Sequence, residues 1–304
     1  LIVATGHPPG SGPITVQSLD LGIDVPITGA YSPFALVFNG AGEAAIDRYS
    51  DFDCADWESE EYHDLARRFL AMSDQTFMED DAVAGYGIVT MLADAAAAVD
   101  GIDLQVEVAP VPETDFTTYL RNLEGFGPEL IVATGHPPGS GPITVQSADL
   151  GLDLPITGAY SPFALVWNGA GEAAIDRYSD FDCADWESEE YHDLARRFLA
   201  MSDQTFMEDD AVAGYGIVTM LADAVAAVGD DPAAISEYLH GQSYDLPGYP
   251  HTMSWTEWGE MAEAQPLFST MSRDVEIPEG VTEAGDWYPK VLLRPAPLEP
   301  YEPG

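Results

Sequence analysis

The stretch Leu130-Ile131-Val132-Ala133-Thr134-Gly135-His136-Pro137-Pro138-Gly139-Ser140-Gly141 decides the fold. A short apolar run, typical of a buried strand, ends at a glycine, and a loop of turn-forming residues leads into a helix predicted over 142–150. A second short strand, 155–158, is followed in the same way by a helix predicted over 161–175. Strands without alternation, separated by helices, indicate a parallel sheet covered on both faces. The sequence therefore predicts an α/β fold with a Rossmann-like parallel sheet.

Further elements extend this pattern on both sides. Upstream, residues 104–108 alternate apolar and polar side chains as a strand does, and residues 115–123 are predicted to form a helix. Downstream, Ser188 is a good N-cap for another helix. The run 211–228 is apolar nearly all round, which predicts a buried helix that Gly229 ends.

The chain repeats itself at an offset of 129 residues. Residues 1–99 recur as residues 130–228 with five apolar substitutions, which are Leu19/Ala148, Ile23/Leu152, Val25/Leu154, Phe38/Trp167 and Ala96/Val225. Solenoid units have periods of about 20–50 residues, so this spacing indicates a duplicated part of a domain instead. We divide the chain into residues 1–101, a truncated copy, and residues 102–304, a fuller copy with additional segments at both ends.

The composition excludes several classes of partner. With 53 acidic and 10 basic residues, the formal charge is −43, so the chain has too few cations for a nucleic-acid-binding face or for adsorption to an anionic membrane. The chain is 46% hydrophobic and 11% aromatic, which predicts a packed core rather than an acidic disordered segment. Such acidity fits a protein working in molar salt, where self-repulsion is screened, and suggests a halophilic, haloarchaeal-like source.

The loops after the two predicted strands carry the candidate binding residues. In an open α/β sheet, ligands bind beyond the carboxyl ends of the strands, where helix N-termini also offer free N–H groups. The first loop provides His136, Pro137 and Ser140, and the second provides Tyr160 and Ser161. The repeat and the apolar run 211–228 add four further candidates, which are His7, Tyr31, Ser32 and Tyr215.

Plainer interpretations stay open for these positions. The first loop consists of residues that turns prefer, with Ser140 suited to cap the helix that follows. Ser161 can likewise cap a helix, and Tyr160 can fill space in the core.

Other chemistry-bearing residues give weaker signals. The acidic stretch 180–187 lacks the glycine and downstream glutamate of a calcium loop, so we expect a solvated loop. His192 is expected at the surface of its helix, and no two histidines have the i, i+4 spacing of a zinc helix. The sequence contains no nucleophile elbow, Walker loop or dinucleotide fingerprint. We therefore predict no catalytic residue, no metal and no cofactor.

Several segments together resemble a known family. Val106-Glu107-Val108-Ala109-Pro110 precedes Asp115-Phe116 and Leu120, and the segments 127–132, 155–158 and 211–228 follow in order. This order resembles the C-terminal lobe of the leucine/isoleucine/valine-binding family, the substrate-binding proteins of ABC importers, over roughly residues 102–270 and again over 1–99. The resemblance implies the type I periplasmic-binding-protein fold, in which two α/β lobes close over a small ligand.

The chain departs from this family in two ways. The N-terminal lobe, which in the family usually grips an amino acid's carboxylate, has no counterpart in the sequence. Where the family's amino-acid binders tend to place an acid after the second strand of this lobe, the chain has Tyr160, and His136 stands where an aromatic is frequent. The implied ligand is therefore a small polar solute, either an amino acid or an amide-like molecule.

The resemblance also implies partners and a location. It implies the membrane subunits of an ABC importer and an extracellular, cell-surface-associated protein, although no signal or anchor is visible in this chain. A homo-oligomer and a truncated relic without activity of its own both stay open. The rival functions are a sensor domain and an α/β enzyme that use the same cleft.

Overall fold

A computed structural model describes residues 2–4, 10–29, 34–50, 55–72, 76–78, 83, 86–87, 90, 93–94, 101–109, 113–133, 139–158 and 161–298. By its internal contacts the chain separates into two compact units, Leu1–Leu104 and Gln105–Gly304. The assignment of residues 1–101 and 102–304 as two copies of one lobe stays a prediction.

The first unit contains a three-stranded parallel sheet. Its strands are β1 (Ile2–Ala4), β2 (Ile27–Gly29) and β3 (Tyr49–Ser50). The helices in the described part of this unit include α1 (Ser11–Asp20), α2 (Phe34–Ala41) and α3 (Glu60–Met72). A short 3-10 helix, Gly42–Ala45, follows α2.

The second unit contains a five-stranded sheet in the order β4-β5-β6-β7-β8. The strands are β4 (Ile131–Ala133), β5 (Ile156–Gly158), β6 (Tyr178–Asp182), β7 (Leu267–Ser272) and β8 (Tyr288–Leu293). The helices are α4 (Thr117–Phe126), α5 (Ser140–Asp149), α6 (Phe163–Ala170), α7 (Glu189–Met201), α8 (Asp209–Val228) and α9 (Pro232–His240). A 3-10 helix, Gly171–Ala174, extends α6, so the helix predicted over 161–175 is shorter and divided.

The parallel strands confirm the fold class predicted from the two short apolar runs. Ile131 pairs with Ile156, and Ile156 pairs with Tyr178, in parallel register. The first unit has the same register, with Ile2 opposite Ile27 and Ile27 opposite Tyr49. The repeated sequence therefore folds into the same strand–helix arrangement in both units.

The sheet of the second unit is not parallel throughout. Strand β7 pairs with β6 in antiparallel register, with Phe181 opposite Phe268, and β8 pairs with β7 in the same sense. The sequence did not predict these strands because β7 and β6 are far apart along the chain. Their pairing depends on tertiary contacts that a local pattern does not contain.

The strand predicted over 104–108 is absent from the structure. These residues are described, but they form no ladder with any described strand. Leu104, Val106 and Val108 are all exposed, with Val108 82% accessible. Alternation alone predicted the strand, but a strand also needs a neighbour for its backbone N–H and C=O groups.

The predicted helix ends are confirmed at two positions. Ser188 Oγ accepts the backbone N–H of Tyr191 at 3.1 Å, which makes it the N-cap of α7. Gly229 follows the last residue of α8 with φ of +84°, a conformation that favours glycine.

Aromatic residues from distant segments form the core of the second unit. Trp186 and Trp287 are fully buried, and the ring of Phe206 lies 5.7 Å from the first and 5.2 Å from the second. The Tyr288 hydroxyl donates to the Trp186 carbonyl at 3.0 Å. The segment at the start of β8 therefore completes the core that the repeat sequence begins.

His192 is buried rather than at the surface, so that expectation was wrong. Its side chain lies beside the buried Tyr191, and its Nε2 is 2.9 Å from the Trp186 carbonyl oxygen. A carbonyl only accepts hydrogen bonds, so this nitrogen carries the proton and donates.

Helix α8 is less buried than its composition predicted. Val212, Gly216, Met220 and Ala224 face the interior, whereas Val218 is 62% exposed. By length and hydropathy it is the one helix in the described part of the chain that could span a membrane. Its inner face packs on Leu246 and Tyr249, as expected for a helix at the edge of a folded core.

Candidate ligand-binding site

The loops after β4 and β5 meet at two buried serines. The Oγ atoms of Ser140 and Ser161 lie 2.6 Å apart, and the two residues are 1% and 3% exposed. Two of the candidate residues are therefore in direct contact at the carboxyl edge of the parallel strands. Their role as ligand contacts stays a prediction.

The remaining candidates are not brought into this contact by the described structure. Six of them, His7, Tyr31, Ser32, His136, Pro137 and Tyr160, lie outside the described residues. Tyr215 lies on α8 with its ring 5.7 Å from the guanidinium of Arg197, and it does not line the cavity beside Ser161. It stands six residues after Asp209, where α8 begins, which is roughly 9 Å along a helix axis.

The capping interpretations of the two serines were wrong. Helix α5 has Gly139 at its N-cap and no side-chain cap, because the Ser140 hydroxyl is engaged with Ser161. Helix α6 begins after Pro162, and its first N–H groups are bound by Glu208 instead. Glu208 Oε2 accepts from Phe163 N at 3.1 Å and Oε1 from Ala164 N at 2.6 Å.

Glu208 is a site residue that sequence reasoning missed. It precedes α8 and lies more than 40 residues from the helix that it caps. A carboxylate at a helix N-terminus is stabilised by the free N–H groups and by the helix dipole. In so acidic a chain, the sequence gave no signal to single out this glutamate.

Asp180 fixes the second strand-end loop from the neighbouring strand. Its Oδ2 accepts the N–H of Ser161 at 2.8 Å and the hydroxyl of Tyr178 at 2.9 Å. A Cβ at Gly158 would lie 2.1 Å from the Tyr178 hydroxyl oxygen, so the position requires glycine. The end of β5 is therefore shaped by side chains of β6.

The acidic stretch 180–187 is not the solvated loop that was expected. Asp180 and Asp182 are only 4% and 5% exposed, because they belong to β6 and face the interior. Asp182 Oδ1 accepts from the indole N–H of Trp186, whereas Oδ2 has no hydrogen-bond partner. Burial beside an acidic helix start was invisible to a composition argument.

Burial changes the acidity of this cluster. Removal from water, together with the nearby Asp209, raises the pKa of Asp182 to about 9. Burial also raises the pKa of Glu208 to about 8, although its two backbone hydrogen bonds oppose the shift. For Asp209, burial and the adjacent Asp210 raise the pKa to about 7. These carboxyl groups resist ionisation unless a positive charge is near.

The described residues contain no group of three or more histidine, cysteine, aspartate or glutamate side chains arranged to hold a metal ion. The thiol of Cys183 lies 4.0 Å from Asp209 Oδ2. Burial and three neighbouring aspartates raise its pKa to about 12, so at neutral pH it is a protonated, unreactive thiol.

Comparison with protein families identifies the class to which this fold and edge site belong. A family model described as "Periplasmic binding protein" matches residues 67–270. The chain belongs to this family, and it is accordingly a binding protein built on the type I fold. Comparison with curated protein sequences gave no match.

Solved structures share the fold at low sequence identity. A leucine-, isoleucine-, valine-, threonine- and alanine-binding protein from Brucella ovis has a TM-score of 0.61 at 12% identity, covering 97% of this chain and 81% of its own. A branched-chain amino acid transporter substrate-binding protein from Streptococcus pneumoniae, in complex with isoleucine, gives 0.59 at 15%, covering 94% and 85%. A solute-binding protein from R. palustris, in complex with benzoate, gives 0.57 at 14%, covering 97% and 84%.

Proposed function

We propose that this chain is the solute-binding component of an ABC importer of the branched-chain amino acid type. The observation that carries the proposal is the family match over residues 67–270, which includes the strand ends joined by Ser140 and Ser161. Ligands of open α/β sheets bind at that edge. The binding site we propose there comprises Ser140 and Ser161 together with His136, Pro137, Tyr160 and Tyr215.

The proposed ligand is a small polar solute, an amino acid or an amide-like molecule. The structural neighbours include proteins solved with isoleucine and with benzoate, two small molecules that both carry a carboxylate. The partners we propose are the membrane subunits of the importer. The location we propose is the outside of the cell, in association with its surface.

The repeat bears on how such a protein would work. The near-identity of residues 1–99 and 130–228 supports a duplication of one lobe, with His7, Tyr31 and Ser32 at the equivalent edge of the first copy. A halophilic source is supported by the formal charge of −43. Long-read sequencing of the locus tests the duplication, because a single copy joined to an N-terminal lobe would reject it.

A ligand panel tests the binding function. The full chain, kept in molar KCl, is mixed with L-leucine, L-glutamine, acetamide, urea or benzoate, and its thermal unfolding is followed. We expect one class to stabilise the chain saturably, by about 2.7 kcal/mol at a hundredfold excess over Kd. NMR of the recovered ligand should show it unchanged.

Two serine variants provide the control. Ser161→Ala, at the strand-end loop, should weaken the response to the ligand, whereas Ser202→Ala, after the end of α7, should leave it intact. Conversion of the ligand would favour the enzyme alternative, and absence of stabilisation by every panel member would reject the binding function.

A further inference from the structure

A small cavity lies between the ends of β5 and β6 and the start of α8. Five acids line it, namely Asp180, Asp182, Glu208, Asp209 and Asp210, and no lining residue in the described structure is a lysine, arginine or histidine. Its interior has room for about one water-sized group, about 10 Å³. Ser161 and the exposed Phe181 also border it, so it lies directly beside the strand-end loop of the proposed site.

Most acceptor atoms around the cavity are already engaged in holding the fold. Both oxygens of Glu208 accept backbone N–H groups at the start of α6. Asp180 accepts from Ser161 N and Tyr178 Oη through one oxygen and from Phe181 N through the other. The exception is Oδ2 of Asp182, a residue 95% buried by its 5% exposure, which has no hydrogen-bond partner.

We propose that this cavity binds a protonated primary amine, so that the solute carries an aliphatic ammonium group that enters between Asp182 and the start of α8. The inference rests on the proposed binding function and specifies the chemistry of its ligand. An ammonium head is water-sized, and its three N–H donors match a site that offers carboxylate acceptors and no donor of positive charge.

An ammonium group also resolves the electrostatics of the cluster. Several buried carboxylates without a counter-charge are costly, and they become neutral unless a cation offsets their desolvation. Asp209 and Asp180 face Asp182, and Cys183 and Asp210 face Asp209, so the group is acidic on every side. The raised pKa values of Asp182, Glu208 and Asp209 fit an empty cavity that holds protons in place of the ligand's charge.

The arrangement favours an ammonium group over an inorganic ion. Hard divalent cations need about six to eight oxygen ligands, whereas the described residues form no cluster arranged for a metal. An ammonium group needs only a few directed acceptors, and Asp182 Oδ2 supplies a free one.

The first test uses the smallest probes. Methylammonium, tetramethylammonium, sodium and calcium chlorides are added at equal ionic strength to the full chain near pH 8, and the unfolding temperature is measured. We expect stabilisation by methylammonium that tetramethylammonium does not reproduce, since the larger ion has no N–H donor and exceeds the cavity. Equal shifts from all the salts would overturn the proposal, and a shift specific to sodium or calcium would replace the ammonium with an inorganic ion.

A substitution locates the effect. Asp182→Asn keeps the size of the side chain and an oxygen that can accept from Trp186, and it should reduce the methylammonium affinity at least tenfold. Asp203→Asn, which removes one charge at an exposed position, should leave that affinity unchanged. Calorimetry of the unaltered chain in two buffers of different ionisation enthalpy gives an independent measurement, because amine binding should release protons from the cluster. Amine binding without proton release and without dependence on Asp182 would contradict the proposal.

A pair of solutes separates this inference from the binding function on which it rests. L-leucine and 4-methylpentanoate differ by the amino group, so the unaltered chain should bind L-leucine at least tenfold more tightly and Asp182→Asn should remove that preference. If carboxylates or amides bind equally well with and without an amine, the ammonium site fails while the binding function stands. If no solute binds but methylammonium still depends on Asp182, the cation site stands and the solute-binding function fails.

Discussion

Ser140 and Ser161 join the two strand-end loops through a 2.6 Å contact between their buried hydroxyl oxygens. Each residue begins or precedes a helix, so this one hydrogen bond sets how the starts of α5 and α6 approach each other. Neither hydroxyl caps its own helix, which leaves the pair as a connection between loops.

Removal of one of these hydroxyls should cost more than removal of both. Ser140→Ala leaves the Ser161 hydroxyl buried without its partner, and we expect a loss of about 1–2 kcal/mol in unfolding free energy. The double variant Ser140→Ala/Ser161→Ala should lose less than the sum of the single variants. Urea denaturation of the four proteins in the cycle gives the coupling energy, and strictly additive losses would show that the hydroxyls do not interact.

Gly141 and Gly169 bring helices α5 and α6 into backbone contact. A Cβ on Gly141 would lie 3.1 Å from Gly169 Cα, and in the first unit Gly12 and Gly40 repeat the contact at 3.1 Å. We expect Gly141→Ala to destabilise the second unit by about 1–3 kcal/mol, because backbone must move to admit the methyl group.

Gly214 provides the matched control for that substitution. A Cβ there meets nothing within 4 Å, and the residue lies inside α8, so Gly214→Ala should stabilise by about 0.5–1 kcal/mol. Chemical denaturation compares the two variants directly. A Gly141→Ala protein as stable as the unaltered chain would show that the helices can separate freely.

The sequence predicted the local elements of the site better than its chemistry. Ser140 and Ser161 follow from strand ends and turn residues, which are short-range patterns, and the parallel pairing of the strands brings them together. Glu208 and Asp182 could not be singled out, because one acts on a helix more than 40 residues away and the other is buried by β7. Tertiary burial distinguishes these two acids from the other acids of the chain.

The same distinction explains the errors in the fold. Residues 104–108 have the right alternation but no neighbouring strand, whereas β7 and β8 are strands because β6 is available to pair with them. Helix α7 was predictable at its start because Ser188 caps it within three residues. Local signals are sufficient for caps and turns and insufficient for sheet edges.

Arg177 is expected to stabilise the second unit through hydrogen bonds more than through charge. Its guanidinium donates to the Thr144, Ala173 and Leu152 carbonyls and to Ser147 Oγ at 2.8–3.3 Å. Its Nε lies 3.1 Å from Asp153, whose side chain is 90% exposed. In the first unit Arg48 makes the same four kinds of contact.

Substitutions separate the two contributions of Arg177. Arg177→Lys keeps the charge but loses the planar fork, and we expect a loss of about 2–3 kcal/mol in unfolding free energy. Asp153→Asn removes an exposed ion pair, which typically contributes less than about 1 kcal/mol. The ranking is checked by denaturant titration in molar salt, and a larger loss for Asp153→Asn than for Arg177→Lys would contradict it.

The buried acids should make the second unit more stable as the pH falls from about 9 towards 5. In the folded protein the pKa of Asp182 is about 9, that of Glu208 about 8 and that of Asp209 about 7, whereas unfolded carboxyl groups titrate near 4. Between these values the folded state holds more protons, so its stability is full below pH 4 for these groups and is lost as the pH rises through 7 to 9. Each group contributes a slope of up to about 1.4 kcal/mol per pH unit.

Asp182→Asn tests the origin of this slope. The amide cannot ionise, so the variant should lose part of the pH dependence and gain relative stability at pH 8.5, where the unaltered side chain begins to carry its buried charge. Asp203→Asn, at an exposed position, should keep the full slope. Thermal unfolding from pH 5 to 9 in molar KCl, where the general repulsion of the acidic surface is screened, gives the three curves. Parallel curves for all three proteins would place the pH dependence outside the cluster and remove the reason to expect a cation there.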